Sequence, residues 1–279
     1  MQTNLIDSLI VKPNSHTKIR LSDWNSTYLG KIDKEEAERM LNQSLMNQMS
    51  NLQYKLFANK SQSLLIILQG VSAAGKDSTI RNVMSAFNPQ SCKAISFKAP
   101  NEDELSHDYL WRVHKLMPAK GEITVFNRSH YEDVIEVRVS KLISKSIWSK
   151  RYKQINEFER FLYENNTKII KFFLYLSKDE QKKKLEERIK NPLKQWKITE
   201  SDLTEPTYYE QYMEAYEEAL WKCSTQWAPW YIIPANTKWF RNFVVAQIIT
   251  NTLESMKLAF PKPNFDISKY LRLKNNIWK

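Results

Sequence analysis

Glycine is scarce in this chain, with four in 279 residues, where ordinary usage would supply about twenty. That excludes collagen-like and glycine-rich linker architectures and gives each remaining glycine positional meaning. Cys92 and Cys223 are too few and too far apart in sequence for a disulfide scaffold or a zinc site. His16, His107, His114 and His130 show no metal-ligand spacing. No apolar run approaches the roughly 18 residues that span a bilayer. The start, Met1 to Ser8, lacks the charged region and apolar stretch of a secretory signal. These absences predict a reduced, cytoplasmic protein with no membrane partner. Acid is the minority charge, 31 Asp and Glu against 42 Lys and Arg, for a net charge of +11. That excess points to a polyanion, whether nucleic acid, an anionic surface or a phosphate-rich substrate, with a merely solvated basic surface as the alternative.

What is present is a core-forming sequence, 42% hydrophobic and 12% aromatic, which excludes wholesale disorder. Two of the four glycines fall in one stretch, Leu64-Leu65-Ile66-Ile67-Leu68-Gln69-Gly70-Val71-Ser72-Ala73-Ala74-Gly75-Lys76-Asp77-Ser78-Thr79-Ile80. An apolar strand, a glycine-bounded loop with a lysine, and a helix start in that order read as a phosphate-binding P-loop. Gly70, Ala73, Ala74, Gly75, Lys76, Asp77, Ser78 and Thr79 are therefore candidate phosphate-binding residues. Asp77 stands where such loops usually carry the Ser or Thr that holds Mg2+. Ser78, Thr79 or a carboxylate must then take that role.

Around this loop the chain alternates strand and helix patterns. Further strands are expected at Lys93–Phe97, Glu122–Phe126, Lys168–Leu176 and Trp230–Ile233. A helix is expected from Asp33, which Glu36 would complete as a capping box, with Ala37, Leu41, Leu45, Met49, Leu52 and Leu56 on its buried face. Another is expected from Asp103 through Leu116. The pattern predicts an α/β domain with a five-stranded, mainly parallel sheet covered on both faces, and ligands at the carboxyl ends of its strands. Residues 1–32 read as an irregular N-terminal arm and 33–279 as the domain proper.

The third strand ends in Asn127-Arg128-Ser129-His130-Tyr131-Glu132-Asp133, with Arg138 beyond. Asn127 occupies a position where an aspartate is common. Asp133 could hold Mg2+, Glu132 could orient an attacking phosphate, and Arg128 and Arg138 could neutralise transferring oxygens. Acids favouring a helix N-terminus are the plainer alternative. The basic run from Lys182 through Arg188 to Lys197 is either a lid closing over phosphates, about residues 182–206, or a solvated helix. Lys98 extends the basic track. His130 suits a structural hydrogen bond, and Trp221, Trp227, Trp230 and Trp239 suit the core rather than a nucleobase.

Taken together, Gly70 to Asp77, Ser96-Phe97-Lys98-Ala99-Pro100, Phe126 to Val134, Tyr212 to Glu217 and Ala228-Pro229-Trp230-Tyr231 resemble the family-2 polyphosphate kinases. The resemblance implies a thymidylate-kinase-like P-loop fold, a three-layer sandwich with a helical lid. It also implies Mg2+-dependent, reversible phosphoryl transfer between inorganic polyphosphate and adenine or guanine nucleotides. The Asn-Arg-Ser form resembles members that phosphorylate both AMP and ADP. In such relatives the lysine matching Lys76 binds phosphate, the acid matching Asp133 binds metal, and that matching Glu132 assists transfer. The arginines matching Arg128, Arg138 and Arg188 hold phosphates, and Arg81 would line the polyphosphate channel. A homo-oligomer, dimer or tetramer, is implied, and no nucleic-acid partner. Ser72 departs from the pattern, since the family usually has a metal-binding aspartate there, and a hydroxyl is a weaker Mg2+ ligand. The competing readings are an ATP-dependent nucleoside monophosphate kinase and a polyphosphate- or nucleic-acid-binding protein with weakened catalysis.

Overall fold

A computed structural model describes residues 2–13 and 17–269, so His16 and parts of both termini lie outside the described residues. Five strands follow the expected pattern, each shifted by about one residue where pairing fixes its ends: β1 (Ser63–Gln69), β2 (Cys92–Ser96), β3 (Ile123–Asn127), β4 (Thr167–Tyr175) and β5 (Trp230–Pro234). They form one sheet in the order β2-β3-β1-β4-β5, with all four neighbouring pairs parallel. β1 lies at the centre and every one of its residues is buried. This accounts for its uninterrupted Leu and Ile run, since a strand covered on both faces needs no polar alternation.

The helices are α1 (Gln2–Leu9), α2 (Lys34–Met40), α3 (Met46–Asn59), α4 (Lys76–Val83), α5 (Glu102–Leu105), α6 (Trp111–His114), α7 (Glu136–Val139), α8 (Lys145–Glu164), α9 (Lys178–Lys190), α10 (Pro192–Gln195), α11 (Glu200–Thr204), α12 (Tyr209–Cys223) and α13 (Lys238–Ser255). One layer is built from α2, α3, α4 and α13, and the opposite layer from α7, α8 and α12, which sandwich the sheet. Asp33 caps α2 by accepting the Glu36 N–H at 2.8 Å. A single π turn, Leu41–Leu45, joins α2 to α3 without breaking the apolar face. No described helix is long and apolar enough to cross a membrane.

Two expectations differ from the structure. The helix expected from Asp103 to Leu116 is split into α5 and α6. Asn101 and Glu104 close a complete capping box, then the Ser106 hydroxyl donates back to the Asp103 carbonyl and Asp108 accepts the Leu110 N–H. Short polar side chains thus divert the backbone from helical pairing. The N-terminal segment, expected to be irregular, opens with α1. It then pins itself down through Val11 N–H to the Trp230 carbonyl (2.8 Å) and Leu21 N–H to Glu217 (2.6 Å).

Candidate active site

The loop between β1 and α4 is shaped by its two glycines. Gly70 has φ 147°, and a Cβ there would stand 2.8 Å from the Leu174 carbonyl oxygen, so β4 can pass this close only to glycine. Gly75 has φ 100° and packs against the Arg241 guanidinium, which fills the space a Cβ would need. Tyr216, from one of the motifs at the far end of the chain, accepts the Gly70 N–H and donates to Gln69, both at 3.2 Å. Lys76 turns its ammonium onto the loop's own carbonyls, Gly70 at 2.6 Å and Val71 at 3.1 Å. Burial, followed by the neighbouring Arg128 charge, lowers its pKa to about 8. An anion in the loop would restore the ammonium's preference for charge.

At the end of β3, Asn127 donates to the Asp77 carboxylate at 2.6 Å. Loop and strand end are thus joined with the carboxylate on the loop side, the reverse of the usual arrangement of a loop hydroxyl and a strand-end aspartate. Arg128 adopts φ 62°, a left-handed conformation that costs a non-glycine residue on the order of 1 kcal/mol. Its guanidinium meets Glu132 at 3.0 Å and Glu205 at 4.0 Å. The Glu132 carboxylate beside it holds the Arg128 pKa above the ordinary value. Asp133 points elsewhere, to Arg151 at 3.1 Å, and burial raises its pKa against that pairing.

The segment after β4 folds across the loop. Asp202 accepts the Ser72 hydroxyl, the Thr199 N–H at 3.2 Å and Arg188 at 2.8 Å. Glu205 accepts the Ser72 N–H and the Gln181 amide at 2.9 Å. Burial raises the Glu205 pKa, with Lys76 and the Ser72 N–H opposing it. A carboxylate therefore already occupies one of the loop's N–H groups.

These elements enclose a cavity of about 460 Å³. Of the residues singled out from sequence, Ser72, Ala73, Gly75, Lys76, Asp77, Ser78, Asn127, Arg128 and Arg188 reach its wall. Gly70, Ala74 and Thr79 are packed within the loop, and the Thr79 hydroxyl is buried without a partner. The Ser78 hydroxyl is held by Arg241 at 3.2 Å. Glu132 approaches through Arg128, whereas Asp133 does not line the cavity. Arg81 and Lys98 are exposed away from it. Arg138 is also elsewhere: it pairs with Glu218 at 2.5 Å and lies over the Trp148 ring, lining a separate cavity. His130 is buried and hydrogen-bonded to Glu159 at 3.3 Å, and Trp230 is core. Lys184, within the basic run read from sequence, also reaches the wall, whereas Asp202, Glu205, Lys238 and Arg241 were not singled out. Of these four, Arg241 carries a local signal, a charge between apolar stretches of α13.

The wall carries eight basic side chains (Lys76, Arg128, Lys184, Arg188, Lys194, Lys197, Lys238 and Arg241) and three acidic ones (Asp77, Glu187 and Asp202). The site therefore favours a multiply charged anion over a neutral ligand. Among the described residues no three of His, Cys, Asp and Glu converge as a metal cage. The donors still suit Mg2+, which takes one or two carboxylates and completes its shell with water and phosphate. Asp77 and Asp202 reach the cavity, the latter beside the Ser72 hydroxyl. Asp133 keeps one buried oxygen, Oδ2, without a partner.

A parallel α/β sheet whose first βα turn is a lysine-bearing phosphate loop at the strand ends defines a P-loop phosphotransferase fold. The polyphosphate kinase 2 family model matches residues 31–261, and the chain belongs to that family. It is 45% identical to the AMP/ADP-polyphosphate phosphotransferase of Meiothermus ruber over 256 residues, covering 91% of this chain and 94% of that one. It is 41% identical to the ADP-polyphosphate phosphotransferase of Rhodopseudomonas palustris over 257 residues, covering 88% and 89%. The crystal structure of polyphosphate kinase 2 from Arthrobacter aurescens superimposes with a TM-score of 0.91 at 37% identity, covering 97% of this chain and 96% of that one.

Proposed function

We propose that this protein transfers phosphoryl groups from inorganic polyphosphate to AMP and ADP, reversibly, and so makes ADP and ATP. The observation that carries this reading is the cavity itself, a phosphate loop facing a wall of cations in a member of this family. Its relatives' names supply the donor and acceptors.

On this reading Lys76 leaves the Gly70 and Val71 carbonyls for an entering phosphate, and Glu205 yields the Ser72 N–H to it. Arg128 and Arg188 neutralise the oxygens of the transferring group, while Glu132 holds the Arg128 guanidinium in place. Mg2+, held by Asp77 and Asp202, would supply additional charge neutralisation when bound. Asp133 acts from the far side of the turn, through Arg151. Residues 182–206 serve as a lid that excludes water, residues 33–279 form the catalytic unit, and residues 1–32 brace it. Ser72 suits a hydrogen bond to the lid better than direct metal binding, which leaves polyphosphate binding with slow turnover as the second reading.

The test is ADP and ATP formation from AMP with long-chain polyphosphate and Mg2+, using the purified chain and its Ser72→Asp variant, with ATP as an alternative donor. Turnover with polyphosphate is expected. Turnover with ATP alone would refute the donor assignment, and measurable polyphosphate binding without turnover in the natural chain would select the second reading.

A further inference from the structure

Arg241 lies in the first turn of α13 and is 2% exposed. Its guanidinium donates to neutral acceptors: the Ala74 carbonyl at 3.2 Å, the Ser78 hydroxyl at 3.2 Å and the Asn242 side-chain oxygen at 3.4 Å. Its Nε is buried with no partner at all. Among the described residues no carboxylate comes within ion-pair distance of it. The two nearest helix starts, those of α4 and α13, present positive rather than negative ends to it. Burial lowers its pKa only to about 10, so it stays charged at neutral pH.

The neighbours on the cavity side add to this imbalance. Lys184, on α9, lines the same wall and feels Arg241 as a like charge, second only to its own burial. Its ammonium meets Glu180 at 3.8 Å and the Ala235 carbonyl at 3.3 Å. Lys238, three residues before Arg241, is exposed on the same wall. Three acids, Asp77, Glu187 and Asp202, line the same cavity, and none of them pairs with Arg241. A buried guanidinium without a carboxylate is unfavourable unless an anion completes it, and a planar fork of donors matches phosphate oxygens.

We propose that Arg241, with Lys184 and Lys238, forms a second phosphate subsite on the α13 side of the loop, occupied by the phosphate next to the one cradled at Lys76. Its ligand class is a phosphoanhydride, meaning two or more consecutive phosphates rather than a lone orthophosphate. The assignment rests on the phosphotransferase reading of the site and deepens it by placing a neighbouring phosphate. Both inorganic polyphosphate and the diphosphate of a nucleotide carry that chemistry.

The test measures binding by calorimetry in the full-length chain without turnover, so its outcome is separate from whether the transfer reaction occurs. The probes are orthophosphate, inorganic tripolyphosphate and ADP, against the natural chain, Arg241→Gln, Arg241→Lys and Lys238→Gln. Arg241→Gln should weaken tripolyphosphate binding at least 10-fold and orthophosphate binding less than 2-fold. Lys238→Gln, at an exposed position that the fold does not depend on, should weaken tripolyphosphate by about 3-fold. Arg241→Lys should fall between Arg241→Gln and the natural chain. A loss confined to tripolyphosphate assigns the subsite to the inorganic chain, and a matching loss for ADP assigns it to the nucleotide. Unchanged tripolyphosphate and ADP affinities in folded Arg241→Gln would overturn the proposal. If Arg241→Gln does not fold, unchanged affinities in both Arg241→Lys and Lys238→Gln would overturn it equally.

Discussion

Lys171 on β4 and Glu159 on α8 are both fully buried and ion-paired behind the site. Replacing the lysine, Lys171→Met, should be among the most damaging single changes outside the cavity. Glu159 Oε1 would still receive the Tyr131 hydroxyl at 2.9 Å and face His130 at 3.3 Å, but Oε2 would lose its one hydrogen-bond donor, Lys171. The Cys223 carbonyl would lose its 2.7 Å donor as well. Leaving one member of a buried pair uncompensated costs about 3–5 kcal/mol, against a total stability on the order of 5–15 kcal/mol. At about 2–4 °C per kcal/mol, that lowers the melting temperature by roughly 6–20 °C. In the natural chain, burial pushes the Glu159 pKa up, but Lys171 and His130 together hold it below the ordinary value. Its stabilisation is therefore present above the unfolded carboxylate value and lost as pH falls through the folded one. Without Lys171 the balance reverses and burial raises the pKa, so protonation relieves the variant as pH falls. The gap between the two proteins should therefore be largest near pH 7 and narrow toward pH 4–5. Urea denaturation at several pH values reads both effects, and adding Glu159→Gln to the variant should recover part of the loss. A loss under about 1 kcal/mol at pH 7, or one that does not shrink on acidification, would refute the reasoning.

Ser72→Asp places a second carboxylate beside Asp202, so Mg2+ should raise its melting temperature at lower concentrations than in the natural chain. At about 100 times Kd the stabilisation is about 2.7 kcal/mol, and superimposable Mg2+ titrations would count against a metal at this point. Gly75→Ala combines a positive φ with a Cβ crowding Arg241, and should destabilise by at least about 1–3 kcal/mol and abolish phosphate binding; a structure-neutral outcome in calorimetry would contradict the loop geometry. Lys76→Met should lower kcat about 10²–10³-fold. Because burial depresses the Lys76 pKa to about 8 in the folded chain, the unfolded chain binds more protons between that value and the unperturbed one near 10.4. Stability should therefore rise with pH across that window, and Lys76→Met should lose this slope in pH-dependent melting. Phosphate binding by the natural chain should weaken over the same window.

The central strand was legible because an unbroken run of Leu and Ile has few other uses, and the phosphate loop was legible because glycine is so rare elsewhere in the chain. Tyr216 and Gly70 were both visible as motif residues, but not their contact, since it spans 146 positions and depends on the packing of α12 against the sheet. The segment proposed as a lid was singled out by its lysines, which a run of like charge makes obvious. Its contacts with the loop come from Asp202 and Glu205, single acids whose meaning comes only from meeting Ser72 across more than a hundred residues. Arg138 shows the converse. Its position just past the phosphate-site turn suggested an anion ligand, yet one further turn of helix carries it to Glu218. Arg241 went unread, because a single charge among the apolar residues of a helix says nothing locally about which loop it will face.

The carboxylate that Glu205 lays on the Ser72 N–H gives the loop an anion of its own. On the proposed function, substrate entry is then an exchange of one anion for another, with the departing one still tethered to the chain. The displaced group stays within reach and re-enters when product leaves, so the loop need never stand bare to water between turnovers. Ordinary solution anions such as sulfate must compete against a partner held at high local concentration. Discrimination among anions is thus partly set before any substrate arrives, in favour of those carrying enough linked charge to evict the resident one.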